Sequence, residues 1–190
     1  MRKTMVMSCL VLGLAGCAGS TGQFSGAAPV ADVSFDADLP FGEVARVCDA
    51  RGRDLGVKVE QAAVRGFALW DSRPGAAGAR RYYITGFRDG CPRQLTAATV
   101  ILSTPSDYEQ FRFGPAAANL PYAKTDAAYD AVKRQVCGTG RRKPCGGRIN
   151  RLDRSMFSVS SYRSLDDNAR WFEALVHDGA VLASAVKSIR

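Results

Sequence analysis

Histidine is nearly missing from this chain of 190 residues, which has only one, His177. Histidine is the usual acid–base group near neutral pH and the commonest metal ligand. The sequence also lacks a Cys-x-x-Cys pair, a His-Glu-x-x-His pattern and a Gly-x-Ser-x-Gly pattern. These absences exclude the zinc sites, zinc proteases and serine hydrolases that carry those motifs. We therefore expect no metal and no cofactor, and we rank a binding role above an enzymatic one.

Long apolar runs are also missing. After the cations Arg2 and Lys3 the chain is uncharged for a stretch, but its apolar part is shorter than the roughly 20 residues that cross a bilayer as a helix. A basic start followed by a short apolar run is typical of an export signal. The sequence therefore predicts export and disfavours a transmembrane anchor in this stretch.

The end of that apolar run carries a more specific motif. Residues Leu14-Ala15-Gly16-Cys17 resemble the lipobox of bacterial lipoproteins, and the resemblance covers residues 1–20. In that family the cysteine thiol receives a diacylglyceryl group, the peptide is cut before it, and the new amine is acylated. The resemblance implies a signal peptide over residues 1–16, acyl chains on Cys17, and, because Ala18 follows, an outer-membrane position facing the periplasm. The alternative is an ordinary secretory peptide that contains Cys17 by chance.

The remaining sequence is organised as a tether and one domain. Residues 18–34 are rich in Gly, Ala and Ser and show no hydrophobic periodicity, which predicts a flexible tether over residues 17–34. Residues 35–190 are long enough for one core and too short for two comfortable domains. The chain is 46% hydrophobic and 23% charged, as ordinary globular domains are.

The cysteines that remain after cleavage and lipidation predict two disulfides. They are Cys48, Cys91, Cys137 and Cys145, and an even number in an exported protein is read as a disulfide framework. Three pairings are possible, and proximity along the chain favours Cys137 with Cys145 and Cys48 with Cys91. A zinc site is the disfavoured alternative.

Positive charge is concentrated in one short segment. The whole chain has a net charge of +8, and removal of Arg2 and Lys3 with the leader leaves +6. Guanidinium groups suit phosphates and carboxylates, so we predict contact with an anionic envelope component (phospholipid headgroup, lipopolysaccharide or peptidoglycan) or an envelope protein, and no nucleic acid. The alternative is a solvated loop that keeps the protein soluble. The predicted contact residues, opposed only by Asp153, are Arg141, Arg142, Lys143, Arg148, Arg151 and Arg154.

Hydrophobic patterning predicts an α+β domain. Asp38-Leu39-Pro40 is expected to begin a helix that ends near Cys48, and further helices are expected after Thr104 and after Thr125. Asp178-Gly179 predicts a hairpin turn. The expected fold is an antiparallel sheet of about six strands with two or three short helices packed on one face. The expected strands are 67–70, 82–85, 94–103 (with 99–102 central in the sheet), 156–162, 169–176 and 180–187.

Two other functions remain open at this point. One is a carboxylate-dependent cell-wall or glycan hydrolase, and the other is an accessory or inhibitory subunit of an envelope complex, which would show an apolar patch on an exposed sheet face. The aromatic residues are read as core, with a ligand-stacking platform as the alternative. The acids available to the hydrolase are Asp71, Asp89, Asp166, Asp167 and the four glutamates; the aromatic residues are Trp70, Tyr82, Tyr83, Phe157 and Trp171.

Replacing Cys17→Ser tests the lipoprotein hypothesis. Two or more acyl chains, at about 0.8 kcal/mol per buried methylene, hold a soluble domain on a bilayer, so the variant should lose partitioning into the detergent phase and lose the acyl mass seen by mass spectrometry of the parent. Cys9→Ser, inside the apolar run, is the control and should change neither. Unaltered processing and partitioning in the Cys17 variant would contradict the hypothesis.

Overall fold

Ten strands and three α-helices follow one another along residues 28–61 and 64–189, the part of the chain that this computed structural model describes. The strands are β1 Ala31–Asp32, β2 Ala45–Arg46, β3 Val57–Lys58, β4 Ala68–Asp71, β5 Arg80–Thr85, β6 Arg93–Ala97, β7 Thr99–Ser103, β8 Met156–Tyr162, β9 Arg170–His177 and β10 Ala180–Ser188. The helices are α1 Pro105–Arg112, α2 Lys124–Cys137 and α3 Ile149–Leu152. The predicted α+β class is confirmed.

The strands divide between two sheets. One sheet has six strands in the order β1-β2-β6-β5-β4-β3, and the other has four in the order β10-β9-β8-β7. All neighbouring pairs are antiparallel except β1 with β2. The predicted single run 94–103 is in fact two strands separated by Ala98, so the chain passes from one sheet to the other there. The prediction that 99–102 is central is therefore wrong, because β7 is an edge strand.

The main core lies between the two sheets. Alternate residues of β8 and β9 point into it, among them Phe157 and Phe172, and they pack with Leu69, Ile84 and Leu95 from the larger sheet. This is the period-two pattern of a strand with one face against the core. The intervening residues of β8 and β9 therefore face away from the larger sheet.

The helices cover that second face of the four-stranded sheet. In α1 the Thr104 hydroxyl accepts a hydrogen bond from the Asp107 N–H at 3.2 Å, which satisfies an end group of the helix. α2 buries Tyr129 and Val132 and ends at Gly138, whose φ is 72°, a conformation that glycine adopts readily. The predictions of helices after Thr104 and Thr125 are confirmed, and so is the Asp178-Gly179 hairpin, with φ of 48° and 75°.

The predicted helix from Asp38 to Cys48 is absent. Gly42 has a φ of 97°, which ends any helical run, and beyond it Ala45 in β2 and Val47 just after β2 are fully buried. The three-residue spacing of apolar side chains in this segment is therefore that of a turn followed by a strand. Residues 49–61 contain only the short β3 and a 3₁₀ turn, Gly52–Leu55.

The predicted tether is wrong over residues 28–34. The Ala28 N–H donates to the Val181 carbonyl at 2.8 Å, β1 pairs with β2, and the Val33 N–H donates to the Arg46 carbonyl at 2.9 Å. Sheet hydrogen bonds order this segment, and its apolar side chains Ala28, Val30 and Val33 pack against the core. The remainder of the predicted tether and the signal peptide lie outside the described residues.

Both predicted disulfides are present. Cys48 after β2 is joined to Cys91 before β6, with their Cα atoms 4.5 Å apart, and Cys137 at the end of α2 is joined to Cys145, with Cα atoms 5.3 Å apart. The first closes the end of the larger sheet and the second closes a short basic loop.

An ion pair fixes the corner where the chain changes sheet. Arg80 donates to both oxygens of Asp71, at 2.8 and 2.7 Å, and to the Ala98 carbonyl at 2.7 Å. Both side chains of the pair are nine-tenths buried. Burial opposes ionisation of Asp71, but the hydrogen bonds from Arg80 and from the Arg73 N–H outweigh it and lower the pKa of Asp71 below its ordinary 3.8.

Asp71→Asn is expected to lower the free energy of unfolding at neutral pH by about 1.5–3 kcal/mol, because Arg80 loses its charged acceptor. Since folding lowers the pKa of Asp71, its ionised form stabilises the fold fully above about pH 4. This stabilisation is lost as the pH falls through the pKa that Asp71 has in the folded state. In urea denaturation the difference between parent and variant should therefore shrink below about pH 4. Asp166→Asn, at an exposed position, is the control and should stay within about 0.5 kcal/mol of the parent. A difference at about pH 2 as large as that at neutral pH would contradict this account.

Candidate functional site

The six predicted contact cations lie on the exposed segment between α2 and β8, and we call this set the basic surface. Arg141, Arg142 and Lys143 lie on the loop after α2; the other three lie in a 3₁₀ turn, in α3 and just after it. All six are exposed. Among the described residues, none of them forms an ion pair.

The one acid within this segment is occupied elsewhere. Asp153 accepts hydrogen bonds from the N–H of Ser106 at 3.0 Å and from its hydroxyl at 2.6 Å. These bonds tie α3 to the beginning of α1 and leave the charge of the neighbouring arginines uncompensated by Asp153.

Two buried charged groups support the loop from beneath. Glu109 accepts from the hydroxyl of Tyr129 at 2.8 Å and from the Cys145 N–H at 3.0 and 2.9 Å. Lys133, which is fully buried, pairs with Asp130 at 3.0 Å and donates to the Lys143 carbonyl at 2.9 Å. With the disulfide from Cys137, these contacts hold the loop backbone in one place.

A groove runs beside the loop. The guanidinium of Arg141 lies 3.5 Å from the centre of the Tyr122 ring, and that of Arg112 lies 5.0 Å from it. The Tyr122 hydroxyl donates to Asp130 at 3.1 Å; burial and Asp130 raise the pKa of Tyr122. The groove has a volume of about 380 Å³, and Arg142, Phe113 and Leu120 also line it.

A second hollow, which we call the sheet-face cavity, lies between α1, the start of α2 and the outer face of the four-stranded sheet. Its volume is about 350 Å³. Three apolar side chains at its rim are exposed, namely Phe111 at 71%, Ile101 at 49% and Ile189 at 45%. The cavity is also lined by Leu120, Trp171, Ser160, Tyr162, Glu173 and Lys187.

A charge cluster forms the floor of the sheet-face cavity. Lys187 Nζ lies 2.6 Å from Glu173 and 3.0 Å from Asp126. Asp126 also accepts from Arg112 Nη1 at 2.6 Å and from the Tyr108 hydroxyl. Burial, Glu173 and Asp126 raise the pKa of Tyr108 far above its ordinary value, so that hydroxyl keeps its proton. Two acids balance two cations, which suits a structural floor better than a free acid–base pair.

The acids considered for a hydrolase are dispersed. Asp71 and Asp89 pair with arginines, at 2.7 Å in each case, and Asp166 and Asp167 are exposed in the loop before β9. Glu43 and Glu60 are exposed, while Glu109 and Glu173 hold the partners given above. A glycosidase needs two facing carboxyl groups about 5–9.5 Å apart, one of them free to protonate, and these placements give that alternative no specific support.

Four of the five aromatic residues predicted to lie in the core are buried, and the fifth, Trp70, is half-buried. Tyr82, Tyr83, Phe157 and Trp171 are buried, and only Trp171 lines the sheet-face cavity. His177 lies at the end of β9, 3.5 Å from Asp178. Cys17 lies outside the described residues.

The sequence did not predict the sheet-face cavity or its floor. A signal was present, since Glu173 is the one charge in the apolar run 171–176 of β9 and Lys187 is the one charge in β10. A lone charge in an apolar strand requires a buried partner, but sequence alone did not show which partner.

Comparison with protein-family models, with curated proteins and with solved structures found no match to this chain. Within residues 28–61 and 64–189, no helix is long and apolar enough to span a membrane. Over the same residues, no group of three or more His, Cys, Asp or Glu side chains could hold a metal ion. The function proposed for this chain therefore rests on its own residues.

Lys187→Met should destabilise the fold by about 3–5 kcal/mol, because it leaves Glu173 and Asp126 buried with one cation fewer. The double variant Lys187→Met with Glu173→Leu removes charge from both sides and should recover at least half of that loss in urea denaturation. Arg170→Met, at an exposed position of β9, is the matched control. A double variant less stable than the single one would show that the buried charge is not the cause.

Proposed function

We propose that this chain is a lipid-anchored, non-catalytic binding module of the bacterial envelope that contacts an anionic envelope component through the basic surface. The lipobox resemblance at Cys17 supports the anchor and a position of the domain beside a membrane on the periplasmic side. Export also removes nucleic acid from the set of anionic partners.

The observation that carries the proposal is six exposed cations without an ion-pair partner among the described residues. Paired cations would have little charge to offer a ligand. Near an anionic membrane each Lys or Arg contributes about 1 kcal/mol, and arginine adds bidentate contacts to phosphate or carboxylate.

Buried charged groups hold the loop that carries part of the basic surface. Glu109 and Lys133 hold the backbone at Cys145 and Lys143 by buried hydrogen bonds. A surface that is ordered before binding loses less conformational entropy on binding than a mobile loop. A loop that served only solubility would not need two buried charges to hold it.

The test uses the mature chain with Cys17→Ser, so that acyl chains do not contribute. Arg142→Ser, Lys143→Ser and Arg151→Ser together should weaken sedimentation with phosphatidylglycerol vesicles or with peptidoglycan by roughly 100-fold at low salt, from about 1 kcal/mol per cation. Higher salt should weaken binding of the parent in the same way.

The matched control removes the same charge elsewhere, by Arg65→Ser, Arg73→Ser and Arg163→Ser, all at exposed positions. It should bind like the parent at equal salt. Equal losses in the two triple variants would show that net charge, and not the basic surface, governs binding. The material whose binding falls in the first triple variant, vesicles or peptidoglycan, identifies which anion is recognised.

A further inference from the structure

The groove and the sheet-face cavity adjoin each other. Arg112 and Leu120 line both of them. The groove contributes the cations Arg141 and Arg142, and the cavity contributes an apolar rim. Positive charge and exposed apolar surface therefore lie side by side, with Arg112 and Leu120 between them.

The apolar part has the size of a ligand site. About 350 Å³ falls within the range of about 300–1,000 Å³ found for small-molecule sites. Phe111, Ile101 and Ile189 are large apolar side chains left exposed around it. Covering them with an apolar ligand removes that surface from water, which favours binding in proportion to the area covered.

The floor of the cavity disfavours an anion at its deep end. Lys187 already contacts two carboxylates, Glu173 and Asp126, so an anion placed there would face two like charges. The hydroxyls of Ser160 and Tyr162 instead offer neutral hydrogen-bonding groups beside the apolar wall. The deep end thus suits an uncharged part of a ligand.

The groove offers the better position for a negative group. Arg112 lines the groove but its Nη1 bonds to Asp126, so Arg141 and Arg142 supply the charge that is not already balanced within the described residues. Arg141 is held over the Tyr122 ring, and Arg142 is exposed and forms no ion pair among the described residues. Three guanidinium groups thus line one groove, where a carboxylate or phosphate would meet charge-assisted donors.

We propose that the groove and the sheet-face cavity together bind one anionic amphiphile with a single acyl chain. Its carboxylate or phosphate lies among Arg112, Arg141 and Arg142, and its chain lies against Phe111 and Trp171. The inference rests on the proposed function in one respect, since Arg141 and Arg142 belong to the basic surface. The inference adds an apolar chain to the anionic ligand and assigns that chain to the sheet-face cavity.

Fluorescence of Trp171 provides the measurement. In a Trp70→Phe background of the mature Cys17→Ser chain, Trp171 is the only tryptophan and it lines the cavity. Dodecanoate and dodecyl phosphate, each below its micelle concentration, should change its emission saturably. Their relative affinities distinguish a fatty acid from a phosphate-bearing lipid. Dodecanol should bind at least about tenfold more weakly, and glycerol phosphate should not change the emission.

Two sets of variants separate the halves of the site. Phe111→Ser with Ile101→Ser should weaken dodecanoate binding at least about tenfold through lost apolar contact. Leu165→Ser with Val57→Ser changes equally exposed residues outside the cavity and should have no effect. Arg141→Ser with Arg142→Ser should weaken binding of the two anions and leave that of dodecanol unchanged.

The possible failures are distinct. Absence of saturable binding, equal affinity for dodecanol and dodecanoate, or equal effects of the rim and control variants would each overturn the inference. So would rim variants that change the oligomeric state without changing dodecanoate binding, because the rim would then be a protein contact. If vesicles and peptidoglycan fail to bind while dodecanoate binds as expected, the proposed function fails and the cavity site stands.

Discussion

One buried ammonium group determines how the helices sit on the sheet. Lys187 from β10 contacts Glu173 of β9 and Asp126 of α2, and Asp126 in turn receives Arg112 and Tyr108 of α1. Four elements therefore meet at a single charge-balanced cluster. Burying ions is costly unless each has a partner, so the cluster tolerates little displacement of either helix. The basic surface at the far end of α2 and the cavity beside α1 both depend on that placement.

The charge on the surface is a consequence of how the interior is balanced. Glu109, Asp126, Asp130 and Glu173 are all buried and all bond to buried or half-buried donors. Asp153 binds Ser106. The acids near the helices are thus used within the fold, and the excess of basic residues is left on the outside. This distribution favours an anionic partner more strongly than the net charge of the chain does alone.

Local signals predicted the parts of the fold that depend on neighbouring residues. The capping residues at Thr104, the Asp178-Gly179 turn and the short Cys137–Cys145 loop all require only adjacent sequence. The helix expected from Asp38 failed because apolar spacing does not report the positive φ of Gly42. The change of sheet at Ala98 and the partner of Lys187, which lies 61 residues away, depend on non-local packing. The cavity therefore could not be derived from the sequence, although the basic surface could.

The bond from Ala28 to Val181 has a consequence for the solubility of the domain. β10 is an edge strand, and an edge strand with free N–H and C=O groups can pair with another chain and start aggregation. The Ala28 N–H occupies one of these groups, the Val181 carbonyl. The register shift between Val181 and Ala183 interrupts the regular spacing of the other N–H and C=O groups along this edge. For molecules crowded on a membrane, as an acylated protein would be, such a blunted edge hinders the growth of a sheet from one copy to the next.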